Sequence, residues 1–170
     1  MDLKNEKYFG GRKLKKVLFV FGSGGHATQS LRLFIEMKDR FDFEFMIEKD
    51  DPFTAPKLEG YNIYQVESMR GKKENVFSTL FRAVVCTLQS VMVFSKSYPD
   101  IIISAGPGLA IPISYLGKFF GKKIIFIESW SRVTTKSISG KIIYPIADEF
   151  YIQWPDMQKV YPKSIYKGRL

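Results

Sequence analysis

The chain contains one cysteine, Cys86, and one histidine, His26. A lone cysteine excludes an intrachain disulfide, so stability is expected to come from the core, and a reducing compartment is expected. One cysteine and one histidine also fall short of any structural zinc set, and no metal site is expected. Acidic residues are scarce: 17 Asp and Glu face 26 Lys and Arg, a formal charge of +9. An excess of this size points to an anionic partner, whether nucleic acid, an anionic membrane surface or a phosphorylated substrate. No nucleic-acid recognition motif accompanies the scattered basic residues, so nucleic acid is not expected. The N-terminus, MDLKNEKYFGGRKLKK, lacks the apolar stretch of a signal peptide. Residues 1–15 read as a basic lead-in, either solvated or in electrostatic contact with anionic lipid.

With 170 residues, the chain is long enough for one domain with a full core, expected over residues 16–170. Apolar runs at Lys16–Phe21, Asp42–Ile47, Asn62–Val66, Ile101–Ile103 and Lys123–Ile127 read as strands, with a sixth over Glu149–Gln153. Helical spacings lie between them, over 27–40, 75–96 and 111–120, where Pro112 suits a first turn and Gly121 ends the helix. Residues 142–146 suggest another helix. Strands alternating with helices imply an α/β, Rossmann-like parallel sheet with helices on both faces.

The helix over 75–96 carries an apolar stripe (Phe77, Leu80, Phe81, Val84, Val85, Leu88, Val91, Met92) and a polar, almost uncharged back (Ser78, Thr79, Arg82, Cys86, Gln89, Ser90). Arg82 and the other polar positions argue against a transmembrane span. The default expectation is that the stripe packs on the sheet. So weak a charge on the polar face also suits a membrane surface or a partner.

Ligands of parallel sheets bind beyond the C-terminal strand ends. Three segments of this chain belong there: GSGG after the first strand, AGPG after the fourth, and Glu128-Ser129 after the fifth. The first loop can be spelled G-x-G-x-x-A with Gly22, Gly24 and Ala27, a permissive dinucleotide fingerprint, with Glu48 or Asp50 as ribose acid. It can also be a plain tight turn. Glycines permit close backbone approach, and helix N-terminal amides suit phosphate. His26 sits at that helix start, able to bond a phosphate, take a proton or lie satisfied in the core. The second loop, Gly106-Pro107-Gly108, repeats the strand–glycine–helix arrangement. Two phosphate-capable loops on one rim suggest a diphosphate lying across the edge. A dinucleotide oxidoreductase is the weaker alternative, because no Y-x-x-x-K follows near the later strands. Glu128 is suited to orient a sugar hydroxyl, to act as a base, or to cap the next helix, and Arg132 adds positive charge beside it.

The stretches GSGGHATQS (22–30), SAGPGLAIP (104–112), FIESWSRVTTKSISGKIIYPIAD (126–148), QWP (153–155) and YPKSIYKGRL (161–170) together resemble one family. It is the acceptor-side subunit of the two-part UDP-N-acetylglucosamine transferase of dolichol-linked oligosaccharide synthesis, with its bacterial and archaeal counterparts in polysaccharide synthesis. Residues 68–90 resemble the family's arginine-bearing stretch less closely. The resemblance implies the N-terminal half of a GT-B glycosyltransferase, MurG-like, that transfers N-acetylglucosamine or a hexose to a lipid-diphosphate-linked sugar. It implies a heterodimer in which a separate GT-B C-terminal-half subunit binds most of the UDP-sugar; no other cofactor is implied. An end at Leu170 accords with such a split. Residues carried over are His26 and Glu128 as catalytic candidates, and Gly22, Ser23, Gly24, Gly25, Gly106, Pro107, Gly108, Ser129 and Arg132 for the acceptor diphosphate. Eukaryotic members begin with a membrane-spanning anchor. For this chain the expectation is peripheral attachment at the cytoplasmic membrane face, through the basic N-terminus and the 75–96 helix. A non-catalytic recruiter is the alternative role.

Overall fold

In the computed structural model, residues 8–9, 11–49, 51–69 and 76–170 are described, without the side chains of Tyr8, Phe9, Arg12, His26 and Val76. Most of the lead-in therefore lies outside the described residues, apart from a small hairpin, β1 (Tyr8–Phe9) with β2 (Arg12–Lys13).

The main sheet has seven strands. They are β3 (Lys16–Phe21), β4 (Asp42–Glu48), β5 (Asn62–Val66), β6 (Ile101–Ser104), β7 (Lys123–Ile127), β8 (Glu149–Ile152) and β9 (Ile165–Tyr166). Their spatial order is β5-β4-β3-β6-β7-β8-β9 and every pairing is parallel. The expected α/β class and the six expected strands are present. The short β9 in the basic tail gave no periodicity to read. Strand order reverses between β3 and β6, which opens a crevice at their C-terminal ends.

Helix α1 (Gly25–Met37) covers one sheet face. Its Phe34 packs edge-on against Phe43, Phe45 and Tyr61 at centroid distances of 5.0–5.2 Å. Helices α2 (Val76–Ser97), α3 (Ala110–Phe119) and α4 (Ile138–Ile143) lie on the other face, over Leu18, Val20, Ile102, Ile124 and Phe126. Helix α4 starts four residues before the expected 142, because Ser137 caps it by accepting from the Gly140 amide at 2.8 Å.

Helix α2 overturns the default expectation for its stripe. Phe77, Leu80, Phe81, Val84, Leu88, Val91 and Met92 are all exposed, Phe77 by 82%. The polar back faces inward instead. Cys86 and Ser90 are buried, and burial pushes the Cys86 thiol up to about 11. The Gln89 side-chain oxygen accepts from the Glu67 amide at 2.8 Å, and Arg82 pairs with Glu67 at 3.3 Å. The last turns bring two large apolar anchors, Val93 and Phe94, into the core. The inward polar face is accommodated because the sheet beneath is itself partly polar. Buried Glu44 is met there by Lys16 at 3.3 Å, Tyr64 at 3.1 Å and Asn62 at 3.2 Å. A 3.6-residue period defines two faces of a helix but does not say which one turns inward.

Candidate functional site

Strands β3, β6 and β7 are neighbours, so their following loops share one rim. Gly22 directly follows β3, and a Cβ there would lie 3.1 Å from the Pro107 Cβ and 3.4 Å from Glu48 Oε1. The two glycine loops therefore pack against each other at Gly22, where a side chain would crowd Pro107. Gly24 (φ 70°) and Gly106 (φ 92°) take the left-handed conformation that glycine favours. Gly24 caps α1 without any side-chain hydrogen bond, and the first turn holds no acidic residue. Its leading amides thus point to an exposed rim at Ser23–Gly25. Gly108 sits under Met69, 3.6 Å from a Cβ position to that side chain's Cβ.

Glu48, read above as a ribose acid, instead ties loops together. Its carboxylate accepts from Ser23 Oγ at 3.0 Å and from Ser68 Oγ at 3.3 Å. Asp50 and the His26 side chain lie outside the described residues; the His26 backbone is in the first turn of α1. Gly22→Ala is expected to push the two loops apart. The crowding against Pro107 should cost roughly 1–3 kcal/mol of stability. A circular-dichroism melt with urea unfolding checks this.

Glu128 occupies the end of β7 and is 1% exposed. Its Oε1 accepts from the Ser129 amide at 2.8 Å; its Oε2 accepts from the Ser137 amide at 3.2 Å and from the Tyr161 hydroxyl at 2.8 Å. Burial and the adjacent carboxylate push the Tyr161 phenol far above its ordinary range. A Cβ on Gly140 would collide with Glu128 Oε2, Tyr161 and Ser137. The carboxylate therefore joins β7, the α4 cap and the C-terminal segment. Ser129 is buried, its hydroxyl 2.9 Å from that of Ser131, and Arg132 is exposed on the rim segment that follows.

Several residues that the motifs do not single out complete the frame. Gln29 on α1 donates to Gln153 at 3.3 Å, and Gln153 donates to the Glu128 carbonyl at 2.9 Å. Trp154 Nε1 donates to the Trp130 carbonyl at 2.6 Å, and the Arg169 guanidinium lies 4.4 Å from the Trp154 ring centroid. These residues lie within the motif stretches, but their bonds span more than a hundred positions in one case, and no local spacing announces them. A mainly apolar cavity of about 280 Å³ lies between α1, β6–β8 and residues 167–170. Its wall is apolar over Leu33, Met37, Ile103, Ile125 and Ile127, while Glu149, Gln153, Lys167 and Arg169 bring polar and charged groups to it.

Solved structures share this architecture. MurG from Acinetobacter baumannii superposes with a TM-score of 0.67 at 13% identity, over 91% of this chain and 44% of MurG. A putative UDP-N-acetylglucosamine 2-epimerase from Listeria monocytogenes gives 0.67 at 13%, over 88% of this chain and 42% of the epimerase. The chain thus spans less than half the length of these two enzymes. The likeness is one of fold, that of the N-terminal half of GT-B enzymes. Sequence relatives cover more. The human UDP-N-acetylglucosamine transferase subunit ALG14 is 31% identical over 94% of this chain and 84% of its own length. The Schizosaccharomyces pombe subunit alg14 is 34% identical over 91% of this chain and 82% of its own length. The model of the Alg14-like oligosaccharide biosynthesis proteins matches residues 17–170, from the first core strand through both glycine loops and Glu128 to the C-terminal tail, and the chain belongs to that family.

Proposed function

We propose that this chain is the acceptor-binding subunit of a heteromeric UDP-N-acetylglucosamine transferase. It holds a lipid-diphosphate-linked sugar and brings a donor-binding partner to the membrane. The observation that carries this reading is the contact between the two glycine loops, Gly22 against Pro107, beside the uncapped N-terminus of α1. Amides from such loops suit a diphosphate. The relatives' printed name, a transferase subunit, supports a second polypeptide. In the proposed reaction an acceptor-sugar hydroxyl attacks the anomeric carbon of the UDP-sugar. That carbon inverts, UDP departs, and a base takes the hydroxyl proton. Because the Glu128 carboxylate already accepts from three protein donors, it is assigned to positioning. The base is then His26 or a group on the partner.

Membrane attachment is peripheral in this reading. Residues Phe77–Ser97 have a mean hydropathy of 1.6, and that segment is long and apolar enough to cross a membrane, with 22% of it buried in the protein. Its bonds to Glu67 and its anchors Val93 and Phe94 favour a helix lying on the surface over one crossing it. The exposed hydroxyls of Thr87 and Ser95 donate to the helix's own carbonyls, of Ala83 and Val91, at 2.8 and 3.0 Å, which suits an apolar environment. Phe119, Phe120 and Tyr98 extend the apolar surface, and the Lys122 ammonium sits 3.6 Å over the Tyr98 ring. Aromatic and lysine side chains are at home in the headgroup layer.

Reconstitution tests the reading. The purified chain alone should transfer no sugar from UDP-N-acetylglucosamine to a lipid-diphosphate acceptor, and addition of the partner subunit should restore transfer. Full activity of the isolated chain would refute the split site. Unchanged turnover in the pair after His26→Ala and Glu128→Gln would favour a recruiter without catalytic groups.

A further inference from the structure

We propose that Trp130 is the platform on which the sugar ring of the lipid-linked acceptor stacks; this rests on the acceptor-side reading above. Trp130 is 53% exposed, a large apolar ring left in solvent two residues after Glu128. Its indole nitrogen lies 3.5 Å from the position a Cβ would take on Gly25. The ring therefore flanks the start of α1, where no side chain of residue 25 intervenes.

The turn that presents it is held on both sides. The Trp130 carbonyl accepts from Trp154, and buried Ser129 bonds Glu128 through its amide and Ser131 through its hydroxyl. The Arg132 amide closes the turn on the Ser129 carbonyl at 2.9 Å. The ring is thus carried on a fixed backbone at the rim.

Sugar chemistry fits this placement. A pyranose has C–H groups on its faces and hydroxyls at its edge. An indole has an apolar, electron-rich face and one N–H donor at its edge. In a glycosyl diphosphate only the anomeric oxygen separates the ring from phosphorus, so a sugar subsite must abut the diphosphate subsite. Trp130 abuts Gly25, where the leading α1 amides begin. Sites of this kind combine an apolar wall with a few polar groups that fix orientation.

The chain has two tryptophans, Trp130 and Trp154, which permits a direct optical test. The full-length chain is titrated with N-acetylglucosaminyl diphosphate carrying a short prenyl chain, with the same prenyl diphosphate lacking the sugar, and with UDP-N-acetylglucosamine. The sugar-bearing acceptor should change the emission saturably in wild type and Trp154→Phe, and not in Trp130→Phe. In the reconstituted pair, Trp130→Ala should raise the acceptor KM about tenfold, consistent with a lost ring contact. Trp130→Phe should recover most of that loss, and the KM for UDP-N-acetylglucosamine should stay unchanged. A turnover-competent pair whose acceptor KM ignores Trp130→Ala overturns the platform and leaves the acceptor-side reading standing. So does a Trp130 signal that answers to UDP-N-acetylglucosamine or to the partner and not to the acceptor. A wild-type pair that transfers nothing overturns that reading and the platform with it.

Discussion

Glu128→Ala should cost the fold about 3 kcal/mol or more, a loss large enough to lower the denaturation midpoint and deplete folded protein in cells. The cause is the stranding of three donors. The Ser129 and Ser137 amides and the Tyr161 hydroxyl all terminate on this carboxylate, inside a region closed to water. An orphaned buried donor costs about 1–3 kcal/mol. Glu128→Gln retains one oxygen acceptor but presents an amide N–H₂ to at least one of these donors, and should fall between alanine and wild type. Gly140→Ala approaches the same cluster from α4. Its methyl group must displace Glu128, Tyr161 or Ser137, and overpacking of this kind costs roughly 1–3 kcal/mol. Urea unfolding followed by tryptophan emission measures all three. If Glu128→Ala melts with wild-type stability while turnover collapses, the carboxylate is a chemical group and the positioning role assigned to it is wrong.

The sheet was legible because its strands are short, unbroken runs such as KVLFVF and IIIS, each followed by glycine or a turn. Buried parallel strands need no alternation, so the run itself is the signal. The rim followed from the same logic: once the strands are parallel, every loop after a strand lies on one edge. What stayed hidden was decided at a distance. Glu48 at the end of β4 meets Ser23, 25 positions earlier, and Ser68, 20 later. Glu128 was placed correctly at a strand end, but its partners come from the α4 cap and from Tyr161, 33 positions on. Helix α2 shows the sharper limit. The 3.6-residue spacing separates its two faces, and hydrophobicity alone, for a protein in water, points the apolar one inward. That orientation is inverted by Glu67, which engages both Arg82 and Gln89, and by Val93 and Phe94, which anchor the helix end. A stripe of seven exposed apolar residues on one helix exceeds what scattered surface hydrophobics require.

Charging that stripe provides the second large effect. Phe81→Glu with Leu88→Glu should abolish flotation of the full chain with vesicles of phosphatidylglycerol and phosphatidylcholine, while leaving the melting temperature within a few degrees. Both side chains are exposed, so the fold loses little when they change. In the interface each contributes about 1–1.5 kcal/mol when half immersed. Two losses together weaken partitioning roughly 30- to 160-fold. Removal of residues 1–15 should weaken binding less, and only on anionic vesicles, because that contribution is electrostatic and screened by salt. On the peripheral reading proposed above, attachment and site would be neighbours. Helix α2 is 22 residues long, about 33 Å, and its N-terminal end follows the segment that carries Met69 against Gly108 at the rim. A membrane on the stripe would then meet the protein beside the rim at the N-terminal end of α2, on the side from which a lipid-borne diphosphate would approach the loops. In the reconstituted pair, the doubly charged variant should accordingly lose activity on a long-chain acceptor in vesicles and retain it on a short-chain acceptor in solution. Equal loss on both acceptors would mean that α2 serves the site directly, with membrane binding incidental to it.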